Sequence, residues 1–417
     1  MELRQYQIEL SSRAASIIRA KGLCYLAMEC RTGKTITALS TAEKYGALSV
    51  LFVTKKKAIN SVKSDHATML YPFAMEVVNY ESLHKVNGDF DFIIVDEAHS
   101  LGQYPKPSKR FCELRAKTWT KPVLYLSGTP SPESYAQLYH QFAISIRSPW
   151  HMHVNFYKWA HAGYVNIHER MVNGNKINDY SETNAELIAK DIAPYLLTYT
   201  QEQAGFETEI EEHELHVIMS SETREALRVL KRDRVIYTEG GGAILADTPA
   251  ALLNKMHQIS GGTVIDDQGK RQVIDKSKAE AIRKHFEGLK IAIFYVYQAE
   301  GDLLKETFPR WTDSPEVFQE SPDLAFIAQV RSAREGVRLD TADAIVFYSM
   351  EYSFLSYEQA RQRALSKERE TPAKVFYCIG DCGIDGDILE AVRNKQDFTL
   401  SYYYANNINN ALRCAND

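Results

Sequence analysis

The sequence predicts an α/β protein built as two parallel-sheet lobes in tandem. Three observations carry this expectation. Short apolar runs alternate with helical patterns up to about residue 145, the pattern of a parallel sheet with helices on its faces. A second alternating set has strand-like runs near 291–297, 325–330, 344–348 and 374–378. A chain of 417 residues is long for one core and fits two domains plus a connection. The expected division is a first lobe over 1–205 and a second over 206–417.

The first strand is Leu23 to Ala27. Met28-Glu29-Cys30-Arg31-Thr32-Gly33-Lys34-Thr35 follows, and then a helical pattern (Ile36, Leu39, Ala42) that ends at Gly46. Strand, loop and helix in this order suit a phosphate site, because loop and helix N–H groups face the phosphates and Lys34 neutralises their β and γ oxygens. The full pattern asks for Gly, four residues, then Gly-Lys-Ser/Thr. Met28 stands at the first glycine, whereas Gly33-Lys34-Thr35 is intact. Gly-Lys-Thr alone reads more often as an ordinary turn with a surface lysine.

The next strand, Val50 to Thr54, runs into Lys55-Lys56-Lys57 at the C-terminal edge of the sheet. Glu76 to Val78 leads to Asn79-Tyr80-Glu81-Ser82. Phe92-Ile93-Ile94-Val95 then runs straight into Asp96-Glu97-Ala98-His99. Four apolar residues read as a buried parallel strand, and acids at its C-terminal end sit where open α/β sheets bind ligands. Combined with the upstream loop, they point to a nucleotide: Thr35 would hold Mg²⁺ through its hydroxyl, and Asp96 would complete the shell through water. Glu97 is the carboxylate placed to orient and deprotonate the attacking water. Val123 to Leu126 leads to Ser127-Gly128-Thr129-Pro130.

From about 146 to 205 the chain turns aromatic and polar, and a helical extension of the first lobe is expected there. His151, His153 and His161 cluster beside Trp150 and Trp159 with no Cys or acid at ligand spacing, which favours packing or surface residues over a metal site. Cys24, Cys30, Cys112, Cys378, Cys382 and Cys414 are scattered, and Cys378-x3-Cys382 lacks a second pair, so reduced thiols are expected. The composition, 45% hydrophobic and 25% charged, is that of an ordinary globular protein. The net charge of −5 argues against a generally basic coat, so nucleic-acid binding would depend on a local feature, of which Lys55-Lys56-Lys57 is the best candidate. No apolar run approaches membrane-spanning length and the N-terminus does not read as a signal peptide. The expected compartment is the cytoplasm, with no membrane partner.

Together with segments nearer the C-terminus, these motifs resemble superfamily 2 helicases over nearly all of the chain, most closely the Swi/Snf-type branch in the compact form found in phages and prophages. Leu3-Arg4-Gln5-Tyr6-Gln7 looks like the adenine-reading segment, with Gln7 as the base contact. Ser127-Gly128-Thr129-Pro130 is similar to motif III. Leu253 to Gln258 and Ser277 to Glu280 resemble the lead-in to the second lobe, and Ile291 to Tyr295 resembles motif IV. Gln329 to Val337, with Thr341 to Phe347 after it, resembles motif V, and Tyr357 to Arg363 resembles motif VI. In the family, motif VI carries two arginines three residues apart that reach the γ-phosphate across the interlobe cleft. Here Arg363 takes the first place and Ser366 the second, with Lys367 beside it. Asp385 to Val392 resembles the closing helix.

The resemblance implies two RecA-like lobes with an ATP cleft between them, and a translocase or helicase that hydrolyses ATP on DNA and remodels or unwinds branched DNA. ATP and Mg²⁺ are the implied cofactors. Lys34, Glu97 and Arg363 would be catalytic. Gln7, Arg31, Thr32, Gly33, Lys34, Thr35, Asp96 and Gly336 would hold the nucleotide, with Thr35 and Asp96 on the metal. Thr54, Lys55, Lys56, Lys57 and Tyr80 would meet the nucleic acid. Motif V and the closing helix favour DNA as partner; a monomer without an obligate protein partner is expected, in the host cytoplasm if phage-encoded. Two alternatives stand beside this reading. Ser366 in place of an arginine suits a weakly hydrolysing, nucleotide-gated DNA clamp or recruitment factor, and Asp-Glu-Ala-His also occurs in RNA helicases.

Overall fold

The computed structural model describes residues 2–172, 175–205, 210–238, 241–333, 339–361, 363 and 371–394. The chain divides into two compact units, 1–206 and 207–417. Each is an α/β unit around a six-stranded sheet whose paired strands all run parallel.

In the first unit the strands are β1 (Leu23–Met28), β2 (Ser49–Thr54), β3 (Ala74–Asn79), β4 (Phe92–Val95) and β5 (Val123–Ser127), then the hairpin β6 (His168–Val172) and β7 (Asn175–Asp179), and β8 (Leu196–Tyr199). The sheet order is β3-β2-β4-β5-β1-β8. The apolar runs explain its centre. Side chains of β1, β2, β4 and β5 are buried on both faces, as a covered parallel sheet demands, and each fully buried aliphatic or aromatic one contributes about 1.5–3 kcal/mol. Alternation along each strand splits them between two cores. Leu23, Tyr25, Ile93 and Val95 face one core, and Cys24, Leu26, Phe92 and Ile94 face the other. Helices α1 (Gln5–Lys21) and α2 (Lys34–Tyr45) cover the second face through Leu10, Ala14, Ile18, Leu39 and Ala42. Helix α2 stops at Gly46, whose φ of 89° is open to glycine at little cost and lets its N–H reach back to Ala42 O at 3.2 Å.

Helix α3 (Ile59–Met69) joins β2 to β3. The opposite face takes α4 (Lys109–Thr118) through Phe111 and Leu114, and α5 (Leu138–Phe142). The stretch expected as a helical extension over about 146–205 is helical only in part. It holds a short turn at Phe156–Trp159, the β6–β7 hairpin, a helix at Ala185–Ile192, and β8, which adds to the sheet edge beside β1. Its rings bury as a cluster, Trp150, Phe156 and Trp159 packing with Tyr139 and Phe142.

The second unit contains β9 (Ile210–Val217), the small antiparallel pairs β10 (Val235–Tyr237) with β11 (Ala243–Leu245) and β12 (Thr263–Ile265) with β13 (Arg271–Val273), then β14 (Ile291–Tyr295), β15 (Trp311–Thr312), β16 (Ala325–Gln329), β17 (Ala344–Phe347) and β18 (Ala373–Gly380). Its sheet order is β15-β16-β14-β17-β18-β9. The four runs read from sequence become β14, β16, β17 and β18, and the closing helix spans Asp385–Arg393. The thiols of Cys24, Cys30, Cys112, Cys378 and Cys382 form no disulfide; Cys414 lies outside the described residues. Among the described residues no helix is long and apolar enough to cross a membrane.

The closing helix is fastened by a buried ion pair. Lys278 Nζ lies 2.9 Å from Asp385 Oδ2, with the two side chains 0% and 6% exposed, and that same oxygen accepts the N–H of Gly380 at 3.0 Å. The helix Ser277–His285, the end of β18 and the closing helix therefore meet at one carboxylate. Removing one partner strands the other charge in the core, so Asp385→Ala should cost about 3–5 kcal/mol in urea unfolding of the full chain, and Lys278→Met on that background should recover much of it. A loss below about 1 kcal/mol, the scale of an exposed pair, would show that the pair does not pin the helix.

Candidate functional site

The loop between β1 and α2 is turned by two left-handed residues, Arg31 (φ 64°) and Gly33 (φ 82°). Met28 needs no glycine-like freedom because it remains the buried last residue of β1, and the sharp turn falls further along. Gly33 is required for a second reason: a Cβ there would lie 2.4 Å from Gln7 Nε2. Thr32 Oγ1 donates to Glu29 O at 2.8 Å, closing the loop on itself. Lys34 opens α2 and folds its ammonium back over the loop, donating to Met28 O at 3.0 Å and Glu29 O at 3.1 Å. Thr35 stands next in the first turn of α2, half-buried.

Asp96 and Glu97 stand at the end of β4. Asp96 Oδ2 accepts from Thr54 Oγ1 at 2.7 Å and Oδ1 from the Glu97 N–H at 3.0 Å, while the Asp96 carbonyl accepts the Tyr80 hydroxyl. Glu97 adopts a left-handed φ of 50°, uncommon for a residue with a side chain. Its Oε2 lies 3.3 Å from His99 Nδ1, which is 3.0 Å from Ser127 Oγ; that hydroxyl oxygen also accepts the Thr129 N–H at 3.1 Å. Burial, and after it the charge of Glu97, pushes the Asp96 carboxyl up to about 6, while Thr54 and the ammonium of Lys34 pull it back. A Cβ built on Gly128 would stand 3.4 Å from Lys34 Nζ. Because β5 lies between β1 and β4, the loop lysine, the acid pair and the Ser127–Thr129 turn come together at one sheet edge.

Gln7 is buried with its amide bridging two chain segments: Oε1 accepts the Arg4 N–H at 2.9 Å, and Nε2 reaches Gly33 O at 3.5 Å. Tyr6 donates to Thr32 O at 2.9 Å and stacks on Tyr199 with ring centroids 4.5 Å apart. Two residues expected on nucleic acid are elsewhere. Thr54 (0% exposed) and Tyr80 (2% exposed) are enclosed and spend their hydroxyls on Asp96, so neither presents a group to a strand. Lys56 and Lys57 are exposed on a short turn after β2, at the same sheet edge as the loop, and Lys55 is half-buried. In the second unit Arg361 is committed to Glu212 of β9 at 2.7 Å, and Arg363 is half-buried. Gly336, Arg334, Ser366 and Lys367 lie outside the described residues.

Sequence reasoning missed Gln201. Its N–H donates to Glu29 Oε2 at 2.7 Å and its amide to Cys30 O at 2.9 Å, while the Glu29 N–H donates to Tyr199 O at 3.0 Å. No local signal marks it, since the contact exists only because β8 pairs with β1.

The raised carboxyl of Asp96 has a measurable consequence. A carboxyl whose folded value lies above its unfolded one contributes stability that is fully present below about pH 4 and lost as the pH rises through about 6. Above that, in metal-free protein, holding the charge costs on the order of 3 kcal/mol. Thermal unfolding in a chelator should therefore show Asp96→Asn gaining stability over the parent above pH 6, with the gain fading below pH 4. A difference that does not vary with pH would reject this account of the pair.

Compared with the models of known protein families the sequence matches none, and no curated protein matches it.

Proposed function

We propose that the first unit binds ATP with Mg²⁺ and that the chain is a nucleic-acid-driven ATP hydrolase of the superfamily 2 kind, moving along DNA. The observation that carries this reading is the meeting of the Lys34 ammonium with a half-buried acid pair at the C-terminal edge of a parallel sheet, beside a loop turned by Arg31 and Gly33. A carboxyl held up near 6 is a site that gains by receiving a cation, which favours its charged form.

Each residue then has a distinct task. Lys34 would leave the Met28 and Glu29 carbonyls for phosphate oxygens, an exchange of weak acceptors for charged ones. Thr35 and Asp96 would hold the metal, with Thr54 keeping Asp96 oriented. Magnesium, when bound, would neutralise charge on the transferring phosphate. Glu97 would take the proton of the attacking water, and His99 would tie its position to Ser127 and Thr129. Loop N–H groups of Arg31, Thr32 and Gly33 would face the phosphates, and the Gln7 amide would read the base. By resemblance, Gly336 and Arg363 of a second RecA-like lobe would complete the site around the γ-phosphate, closing an ATP cleft as the enzyme cycles.

The weakly hydrolysing clamp and the RNA helicase would share this site, and turnover separates them. ATP hydrolysis should be measured with single-stranded, duplex and branched DNA and with RNA. DNA stimulation is expected; RNA stimulation alone, or nucleotide binding with no turnover on any polymer, would select an alternative. Lys34→Ala should weaken nucleotide binding, whereas Glu97→Gln should keep binding and lose about 10²–10⁴ in turnover, the usual contribution of a general base. Parent-like turnover in Glu97→Gln would remove it as the base.

A strand held by its phosphates is read with steep salt dependence and little base preference. Replacing Lys55, Lys56 and Lys57 by alanine should lower the duplex salt slope by up to about 0.9 per lost phosphate contact and abolish DNA stimulation, with the basal rate kept. Unchanged slopes and stimulation would leave the three lysines as a solvated turn.

A further inference from the structure

A second concave surface lies in the first unit, on the sheet face opposite α1 and α2. It is a pocket of about 110 Å³ built largely of rings, among them Phe111 and Trp119, Tyr139 of α5, and Phe156 and Tyr157. The space is roughly tenfold what one water needs. Trp150 forms part of the buried floor, its indole N–H donating to Asp191 at 2.9 Å.

Among the lining residues the charged side chain is a cation, Arg115. Arg115 lays its guanidinium 4.3 Å from the centroid of the Trp119 ring, a planar cation stacked on an aromatic face. Lys106, between the lining residues Pro105 and Pro107, and Lys158, next to Tyr157, are exposed. Burial lowers His140 to about 4, so its imidazole is neutral; Nδ1 lies 2.7 Å from Gln103 O, which assigns its proton to that carbonyl and leaves Nε2 as an acceptor. The lining contains no Asp or Glu.

Aromatic walls, a stacked guanidinium, a neutral acceptor and exposed lysines adjacent in sequence to the lining suit a flat π-system flanked by negative charge. An unpaired base of a single strand has both features, because every base offers a π-face and carries phosphate on either side. A base inside a duplex does not, since its faces are already stacked. An aromatic side chain of a peptide offers the ring but no obligatory flanking charge. We propose that this pocket is a second nucleic-acid site that takes one unpaired base of a single strand, with Arg115, Lys106 and Lys158 on the adjoining phosphates. The inference rests on the reading that the chain acts on nucleic acid, and it adds a site away from the sheet edge that carries Lys55, Lys56 and Lys57.

The test compares a short oligothymidylate with an abasic strand of equal length, by fluorescence anisotropy with the full chain and no nucleotide. Stacking of one base predicts that the parent binds the oligothymidylate about five- to a hundredfold more tightly. The double variant Arg115→Gln with Tyr157→Ala should lose that preference while duplex-stimulated ATP hydrolysis stays at the parent level. Equal affinity of the parent for both strands would overturn the proposal, as would a preference that survives in the variant. So would binding of a fluorescein-labelled tryptophan-bearing peptide, lost in the variant, without binding of oligothymidylate, which would assign the pocket to a protein. Base preference without hydrolysis on any polymer would support the pocket and reject the ATPase reading, so the two fail separately.

Discussion

A carboxylate enclosed at the end of β4 sets the terms for the rest of the first unit. In a low-dielectric position a charge needs donors or a cation, and the Asp96 carboxylate draws on two, Thr54 at the end of β2 and the N–H of Glu97, while Tyr80 holds the Asp96 backbone through its carbonyl. Sheet register makes this possible, since Val53 pairs with Val95 and places Thr54 beside the acid. Glu97 adds strain of about 1–2 kcal/mol through its left-handed backbone, and the sharp turn stands its carboxylate next to His99. The same few ångströms hold an unfavourable charge and an unfavourable dihedral, a combination that persists only where surrounding packing overdetermines it.

The second unit handles its interior polar groups differently. Lys278 and Asp385 neutralise each other, and Glu300 is enclosed by donors, with Oε2 accepting from Ser349 Oγ at 2.6 Å and from the Val296 and Tyr297 N–H groups at 3.0 Å. Backbone approach is part of this arrangement, because a Cβ on Gly261 would stand 2.1 Å from Glu300 Oε1. Burial still pushes Glu300 up to about 7. Its donors stand just past the ends of β14 and β17, which are neighbours in the sheet, so the carboxyl ties the middle of that sheet together.

Legibility of the fold in the sequence follows burial. Strands such as Phe92–Val95, Val123–Ser127 and Ala344–Phe347 are covered on both faces and read as unbroken apolar runs. Strand β9, Ile-Glu-Glu-His-Glu-Leu-His-Val, sits at a sheet edge with most residues partly or fully exposed, and nothing in its composition announces a strand. The loop residues and the acid pair were legible because their spacing is local. Thr54 and Tyr80 were misplaced because whether a hydroxyl turns inward is decided by a neighbouring strand, and Gln201 escaped because its partner is 172 residues away.

Strand β8 has a role beyond completing the sheet. It covers β1 from Tyr25 to Met28, the strand that leads into the loop turned by Arg31 and Gly33 and whose side chains are almost wholly apolar. Without it, a central, hydrophobic strand would become a bare edge with its N–H and C=O groups open to pairing with another copy. The last segment of the first unit is thus also its guard against edge-to-edge aggregation, and a fragment of the unit ending before Leu196 would lack that protection.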